Sequence, residues 1–140
     1  MLTVSQLAIQ LEITLTIERA ISYHPALPGA NRHLWNIPIT YPNRLQTAAG
    51  YCHYNPLRID LHPGLLGPDA AKAEHVATFL HELAHAMSVM VYGIAAGRGH
   101  GEHWWEMMHQ LGQRPQRTHK IAACRKASLV AKRTLDDMGL

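Results

Sequence analysis

The sequence contains one five-residue motif whose residue types and spacing suit metal chemistry: His81, Glu82 and His85 form the pattern HExxH. At about 3.6 residues per turn, two histidines four positions apart lie on one face of a helix, so their imidazoles can converge on one ion. Glu82 lies about 100° round the helix, where its carboxylate can reach a metal-bound water without filling a ligand position. The motif therefore predicts a zinc site with Glu82 as general base.

A catalytic zinc site needs a third protein ligand and an open fourth position. In one common pattern a glycine and a histidine follow three and six residues after the second histidine. Ser88 and Val91 occupy those positions here, so this pattern is absent. In another pattern the third ligand is a glutamate further downstream, for which Glu102 and Glu106 are candidates.

A further candidate for the third ligand lies in a glycine-rich stretch. His100 follows His85 by fifteen residues and is flanked by Gly99 and Gly101. The conformational freedom of glycine allows such a segment to fold its imidazole back towards the helix. The residue types alone leave both the histidine and the glutamate patterns open.

The order of these motifs resembles the SprT-like (Spartan-type) zinc metalloprotease family, in which HExxH is followed at variable spacing by His-Gly-x-x-aromatic. The resemblance covers roughly residues 45 to 120. It implies that His100 is the third zinc ligand, with His103 as the alternative, and that Trp104 packs behind the site. The residues that carry it are His81-Glu82-Leu83-Ala84-His85, His100-Gly101-Glu102-His103-Trp104, Gly50, residues 58–63, and the segment from Met108 to His119.

The same resemblance implies a zinc-dependent endopeptidase that binds one Zn²⁺ and cleaves protein substrates. It also implies proteolysis linked to DNA, such as cleavage of DNA–protein crosslinks, with single-stranded DNA as a possible activator. Two other functions remain open: a general zinc metallopeptidase without DNA dependence, and a non-catalytic DNA-binding module stabilised by zinc. Glu82 argues against the second, because a structural zinc site needs no base and usually has four protein ligands.

Apolar spacing and turn residues predict the elements that position these motifs. The proline and glycine content of residues 24–33 predicts a loop, and Asp69 can cap the N-terminus of the helix that carries HExxH. The sequence thus predicts one α+β, zincin-like metalloprotease domain over residues 1–140, with a three-stranded sheet and about four helices. Helices are expected at residues 3–22, 69–92, 102–111 and 118–138, and strands at 35–41, 47–54 and 58–61.

The strand predicted at residues 58–61 precedes the HExxH helix in the sequence. In zincin-like proteases an edge strand beside the active-site helix binds the substrate by extending the sheet. That arrangement makes Arg58, Ile59, Asp60 and Leu61 candidate substrate-binding residues. A strand in the interior of the sheet is the alternative, and it fits the sequence equally well.

Positive charge is concentrated towards the C-terminus of this 140-residue chain, whose net charge is +3. From Arg114 onward seven basic residues are set against two acidic ones, a net charge of +5, and the remainder carries −2. A cationic helix can bind phosphates without reading a base sequence. The candidate DNA-binding residues are Arg114, Arg117, Lys120, Arg125, Lys126, Lys132 and Arg133.

Cysteine usage and hydropathy indicate the compartment. Cys52 and Cys124 lie far apart, so neither a disulfide framework nor the zinc ribbon of many SprT-like proteins is expected. The N-terminal segment carries Glu12 and Glu18 without a basic region, and the chain has no run of about 18 apolar residues. We expect an intracellular, cytoplasmic protein with no membrane partner, associated with the nucleoid or nucleus if it acts on DNA.

Overall fold

The computed structural model describes residues 1–45 and 48–116 together with Cys124, and for residues 28–31 it describes the backbone only. The α+β class is confirmed. The sheet has four strands where three were expected, and the described residues form five α-helices where about four were expected. In chain order the elements are β1 (Leu2–Thr3), α1 (Val4–Gln10), α2 (Thr14–Ser22), α3 (Leu27–Trp35), β2 (Pro38–Thr40), β3 (Gly50–Tyr54), β4 (Leu57–Leu61), a 3₁₀ turn (Pro63–Leu66), α4 (Lys72–Gly97) and α5 (Glu102–Gln110).

The four strands form one mixed sheet in the order β1-β2-β4-β3. β2 runs parallel to β4, whereas β1 pairs antiparallel with β2 and β3 pairs antiparallel with β4. β4 is therefore an interior strand, and the expectation that residues 58–61 form an edge is wrong. The edge next to β4 is formed by β3.

One face of the sheet packs against α4. Gly50, Cys52 and Tyr54 of β3 alternate onto this face, opposite Leu61, Ile59 and Leu57 of β4. α4 covers them with a run of residues that is buried from Thr78 to Val89 without interruption. The HExxH motif lies inside that run, so its helix is held rigidly by the core.

The N-terminal segment differs from the single helix that the spacing predicted for residues 3–22. It forms β1, α1 and α2, with a break at Glu12, whose φ of 61° lies in the left-handed region. Leu7, Leu11 and Leu15 recur at intervals of four residues, which would place them on one face of a single helix. Because α2 starts at a different rotation about its axis, Leu15 is instead 74% exposed. The residues of α2 that are buried instead are Ile17, Ala20 and Ile21.

The segment predicted as a loop at residues 24–33 contains most of α3. A proline lies in the first turn of this helix, where its missing N–H has no helical partner to lose. The helix continues into the stretch predicted as a strand at residues 35–41. Within that stretch the strand itself, β2, is only three residues long.

The two helices that carry the motifs lie close to where they were expected. α4 begins at Lys72, and the side chain of Glu74 accepts a hydrogen bond from the N–H of Ala71 at 3.0 Å, so Asp69 is not the cap. Among the described helices only α4 is long and apolar enough to cross a membrane, and 61% of its apolar window is buried within the protein. The helix predicted at residues 118–138 lies outside the described residues, except for Cys124, which is helical and buried.

Candidate metal centre

Three histidines converge at one point beside α4. The Nε2 atom of His100 lies 3.2 Å from that of His81 and 3.1 Å from that of His85. The candidate ligand atoms of the three residues all lie within 4.8 Å of one another, so the group could hold a metal ion. The structure thus brings together the three histidines that the resemblance implied.

Three glycines shape the backbone that carries His100 back to α4. The helix is interrupted at Gly93, whose φ of 83° is in the left-handed region, and Gly99 has a φ of 86°. Between these two turns, Gly97 is buried against the backbone of α4 at Ser88. The chain therefore reverses direction at the end of α4 and runs back to His85.

Trp104 forms the floor of this histidine group. Its indole stacks on the imidazole of His85, with ring centroids 5.5 Å apart, and meets His81 and His100 edge-on at 4.9 and 4.6 Å. It is almost completely buried. The expected packing of Trp104 behind the site is confirmed, and the next residue, Trp105, is 53% exposed.

The alternative ligands lie elsewhere. The His103 ring stacks on Tyr92, with centroids 3.7 Å apart and planes 17° apart. Glu106 accepts a hydrogen bond from the Tyr92 hydroxyl at 2.9 Å and pairs with His24 at 3.2 Å. Glu102 is exposed on the first turn of α5. None of these three side chains belongs to the described histidine group.

The Glu82 carboxylate lies at the margin of the group. Its Oε1 is 3.8 Å from Nε2 of His81. Burial raises the pKa of Glu82 to about 8, because a carboxylate loses hydration in the core. A cation held by the histidines would favour the charged form and lower that pKa again.

His85 is suited to metal binding because its surroundings keep its imidazole neutral at pH 7. Burial, together with the neighbouring His100, lowers the pKa of His85 to about 4. A neutral imidazole has a free nitrogen lone pair at pH 7, which a metal ligand requires.

The donor set also fits zinc in its spacing. Two nitrogens bound tetrahedrally at about 2.0–2.1 Å from zinc lie about 3.3 Å apart, close to the 3.1 and 3.2 Å that separate Nε2 of His100 from the Nε2 atoms of His85 and His81. Cys52 is not part of the set: burial, and then the charges of Glu82 and Asp60, raise the pKa of its thiol.

Comparison with known families agrees with this geometry. The model of the SprT-like family matches residues 26–125 of the chain. The chain belongs to the SprT-like family. No curated protein and no solved structure matches it significantly. The family is metalloprotease-like, which agrees with a three-histidine site next to a buried glutamate.

The predicted substrate strand of this SprT-like domain contributes to a polar cluster on the opposite face of the sheet. Asp60 is fully buried there, and its carboxylate accepts hydrogen bonds from Thr40, Arg44 and Arg58 and contacts His53 at 2.7 Å. Burial acts to raise the pKa of Asp60, but the hydrogen bonds from Thr40, His53 and Arg58 outweigh it and hold that pKa below its usual value.

The other predicted substrate residues are also engaged within the SprT-like domain. Ile59 and Leu61 are fully buried, and Arg58 is held by the Asp60 carboxylate and by Nε2 of His53 at 2.9 Å. The backbone of β4 pairs with strands on both sides. A peptide therefore cannot join the sheet at residues 58–61, and among the described strands β3 forms the edge on this side.

Of the predicted DNA-binding residues, the structure describes one. Arg114 is exposed just after α5. The others lie outside the described residues, and their role stays a prediction: Arg117, Lys120, Arg125, Lys126, Lys132 and Arg133.

Two features of the SprT-like site were not predicted from single residues. Gly50 faces Glu82, and a β-carbon there would lie 2.9 Å from Cγ of Glu82. Gly97 packs against α4 near the histidine group. In the sequence, Gly50 is one residue of a strand that resembles the family, and Gly97 is one of several glycines in a loop-like stretch. Neither residue therefore indicates its role in the site by its sequence context.

Proposed function

We propose that this SprT-like domain is a zinc-dependent endopeptidase. The observation that carries the proposal is the convergence of His81, His85 and His100, with the Glu82 carboxylate 3.8 Å from the first of them. Three histidine nitrogen donors leave a fourth position for water or substrate, as in catalytic zinc sites. A structural site would not need a buried glutamate beside it.

The residues have distinct roles in the proposed reaction. His81, His85 and His100 would hold the ion, which would supply Lewis-acid chemistry and lower the pKa of a bound water. Glu82 accepts the proton of the attacking water on a carboxylate oxygen and then gives it to the nitrogen of the departing amine. Trp104 excludes water from behind the ligands, and its packing keeps the imidazoles in place.

The substrate peptide is proposed to bind along β3 rather than β4. β3 is an edge strand among the described strands, and its Gly50 approaches Glu82. An extended peptide that pairs with this edge would run past the general base, with main-chain hydrogen bonds that do not depend on its sequence.

The link to DNA is supported by charge. The segment from Arg114 onward carries a net charge of +5, whereas the rest of the chain carries −2. We propose that this segment binds DNA and brings the peptidase to DNA-bound proteins, including DNA–protein crosslinks. A general peptidase without DNA dependence is the competing proposal, and it predicts equal cleavage with and without DNA.

The test is cleavage of a DNA-binding protein by the zinc-loaded chain, with and without single-stranded DNA, for the wild type and for Glu82→Gln. We expect cleavage by the wild type, stimulation by DNA, and a loss of activity of at least about 10²-fold in Glu82→Gln at unchanged zinc content. Full cleavage by Glu82→Gln would refute the mechanism. Equal cleavage without DNA would refute the DNA link alone.

A further inference from the structure

Gly97 makes the tightest glycine contact in the described structure. A β-carbon at this position would lie 2.5 Å from the carbonyl oxygen of Ser88 and 2.8 Å from Cα of Val89. Both are backbone atoms in the middle of α4, so they cannot move aside as a flexible side chain could. The residue at position 97 must therefore lack a side chain for the chain to pack here.

This contact fixes the position of the segment that leads from Gly97 to His100. Ser88 lies three residues after His85, which is about 4.5 Å along the helix at 1.5 Å per residue. His100 likewise lies three positions after Gly97, on a segment that runs in the opposite direction. Because Gly97 lies at the level of Ser88, this short segment can bring the imidazole of His100 back to the level of His85.

Gly50 makes a comparable contact on the other side of α4. A β-carbon there would lie 2.9 Å from Cγ of Glu82, 3.1 Å from the carbonyl oxygen of Asp60 and 3.3 Å from Leu61. The β4 backbone is fixed by the sheet, so the Glu82 side chain is the part that would have to move. Its carboxylate would be displaced from its place 3.8 Å from His81.

We infer that Gly97 and Gly50 are positioning residues for separate halves of the site: Gly97 places the third metal ligand, His100, and Gly50 leaves the space in which Glu82 is held. Neither glycine has a side chain that could take part in the chemistry, so both act by placing other residues and neither is catalytic. The inference rests on the proposed function for Gly50 only, because the role of Gly97 concerns metal binding whether or not the protein is a peptidase.

The roles of the two glycines are distinguished by two measurements, each of which only one of the replacements should lower strongly. Zinc affinity is measured by competition with a chromogenic chelator, and peptide cleavage by kcat and KM on a zinc-saturated sample. Gly97→Ala is expected to lower zinc affinity by about 10–100-fold, the range found when support of a metal ligand is lost. Gly50→Ala is expected to leave zinc affinity within about threefold and to lower kcat by about 10²-fold, the effect of misplacing a reacting group by about 1 Å.

A double-mutant comparison tests whether Gly50 acts through Glu82. If it does, adding Gly50→Ala to Glu82→Gln lowers kcat no further, because the group that it positions is already lost. A multiplicative loss in the double variant would overturn this half of the inference. Gly67→Ala is the control for glycine replacement, since a β-carbon at Gly67 meets only an ordinary contact at 3.5 Å, and no change in either measurement is expected.

Unfolding of the zinc-free variants is followed by circular dichroism. Two results would overturn the role of Gly97. In the first, Gly97→Ala folds and binds zinc as tightly as the wild type. In the second, Gly97→Ala does not fold without zinc, which would mean that the contact supports the fold as a whole. If the wild type binds zinc but cleaves no peptide, the proposed function fails and the zinc measurement on Gly97→Ala still stands.

Discussion

The indole of Trp104 donates a hydrogen bond from Nε1 to the backbone carbonyl oxygen of His81, at 3.3 Å, from behind the three-histidine group. This bond ties α5 to the turn of α4 that begins the HExxH motif. The same indole stacks on His85. One buried side chain therefore contacts both the first and the second ligand of the candidate metal centre.

Replacement of Trp104 by alanine is expected to lower the free energy of unfolding by about 3–5 kcal/mol, the usual loss for a large buried aromatic. It should also weaken zinc binding, because the imidazole of His85 loses its stacking partner. Chemical unfolding with and without zinc measures both effects. Trp105→Ala is the matched control: Trp105 is 53% exposed, and a loss as large as that of Trp104→Ala would contradict this assignment.

Removal of the third ligand is expected to distinguish the roles of His100 and His103, which lie only three residues apart. His100→Ala should lower zinc affinity by more than about 100-fold, because it removes a direct donor and not merely its support. His103→Ala should leave zinc affinity nearly unchanged, since its ring stacks on Tyr92. Chelator competition on both variants gives the answer, and the reverse order of effects would transfer the ligand role to His103.

The buried Asp60 cluster predicts acid sensitivity of the fold. The pKa of Asp60 is held below its ordinary value in the folded protein, so its stabilising effect is complete above the unfolded pKa of about 3.9. That effect is lost as the pH falls from there through the lower, folded pKa. Urea unfolding of the zinc-free chain between pH 7 and pH 3 measures this loss.

Asp60→Asn provides the comparison for the acid measurement. At pH 7 it should lower the free energy of unfolding by about 1–3 kcal/mol, because hydrogen-bond donors around position 60 lose their charged acceptor. The variant should then lose less stability than the wild type on acidification. Parallel pH dependence of the two proteins would show that Asp60 is not a source of the acid sensitivity.

DNA binding is expected to depend on salt through the C-terminal basic segment. Each phosphate contact that is removed should reduce the slope of log affinity against log salt by about 0.7 for single strands. Glutamine replacement of Arg125, Lys126, Lys132 and Arg133 together should therefore flatten that slope by almost 3, as measured by fluorescence anisotropy with an oligonucleotide. Replacement of Arg19, an exposed arginine of α2, is the control and should change it little.

The sequence identifies the local parts of the site better than the sheet. The HExxH helix and α5 follow from local spacing, because their apolar faces repeat with the helical period. By contrast, β1 has only two residues, which pair with residues 38 and 39 far along the chain. No local sequence pattern predicts such a strand. The interior place of β4 depends on its parallel pairing with β2, which is likewise a long-range choice.

Two errors have specific physical causes. The apolar spacing continues through Glu12, but the left-handed backbone at that residue rotates the following helix, and Leu15 turns outward. In α3 the proline that suggested a loop lies in the first turn, where helices accept it. Composition alone does not distinguish these positions within an element.

The turn between Gly93 and Gly97 has a consequence for how the chain can be lengthened. Its residues 93–96 are exposed, whereas Gly97 is buried against α4 and His100 is fixed by its neighbours. Extra residues inserted at 95 would loop out into solvent and leave the distance between Gly97 and His100 intact. We expect the same insertion at 98 to break the site, because it would change the distance between Gly97 and His100, so that added length should be tolerated before this glycine and not after it.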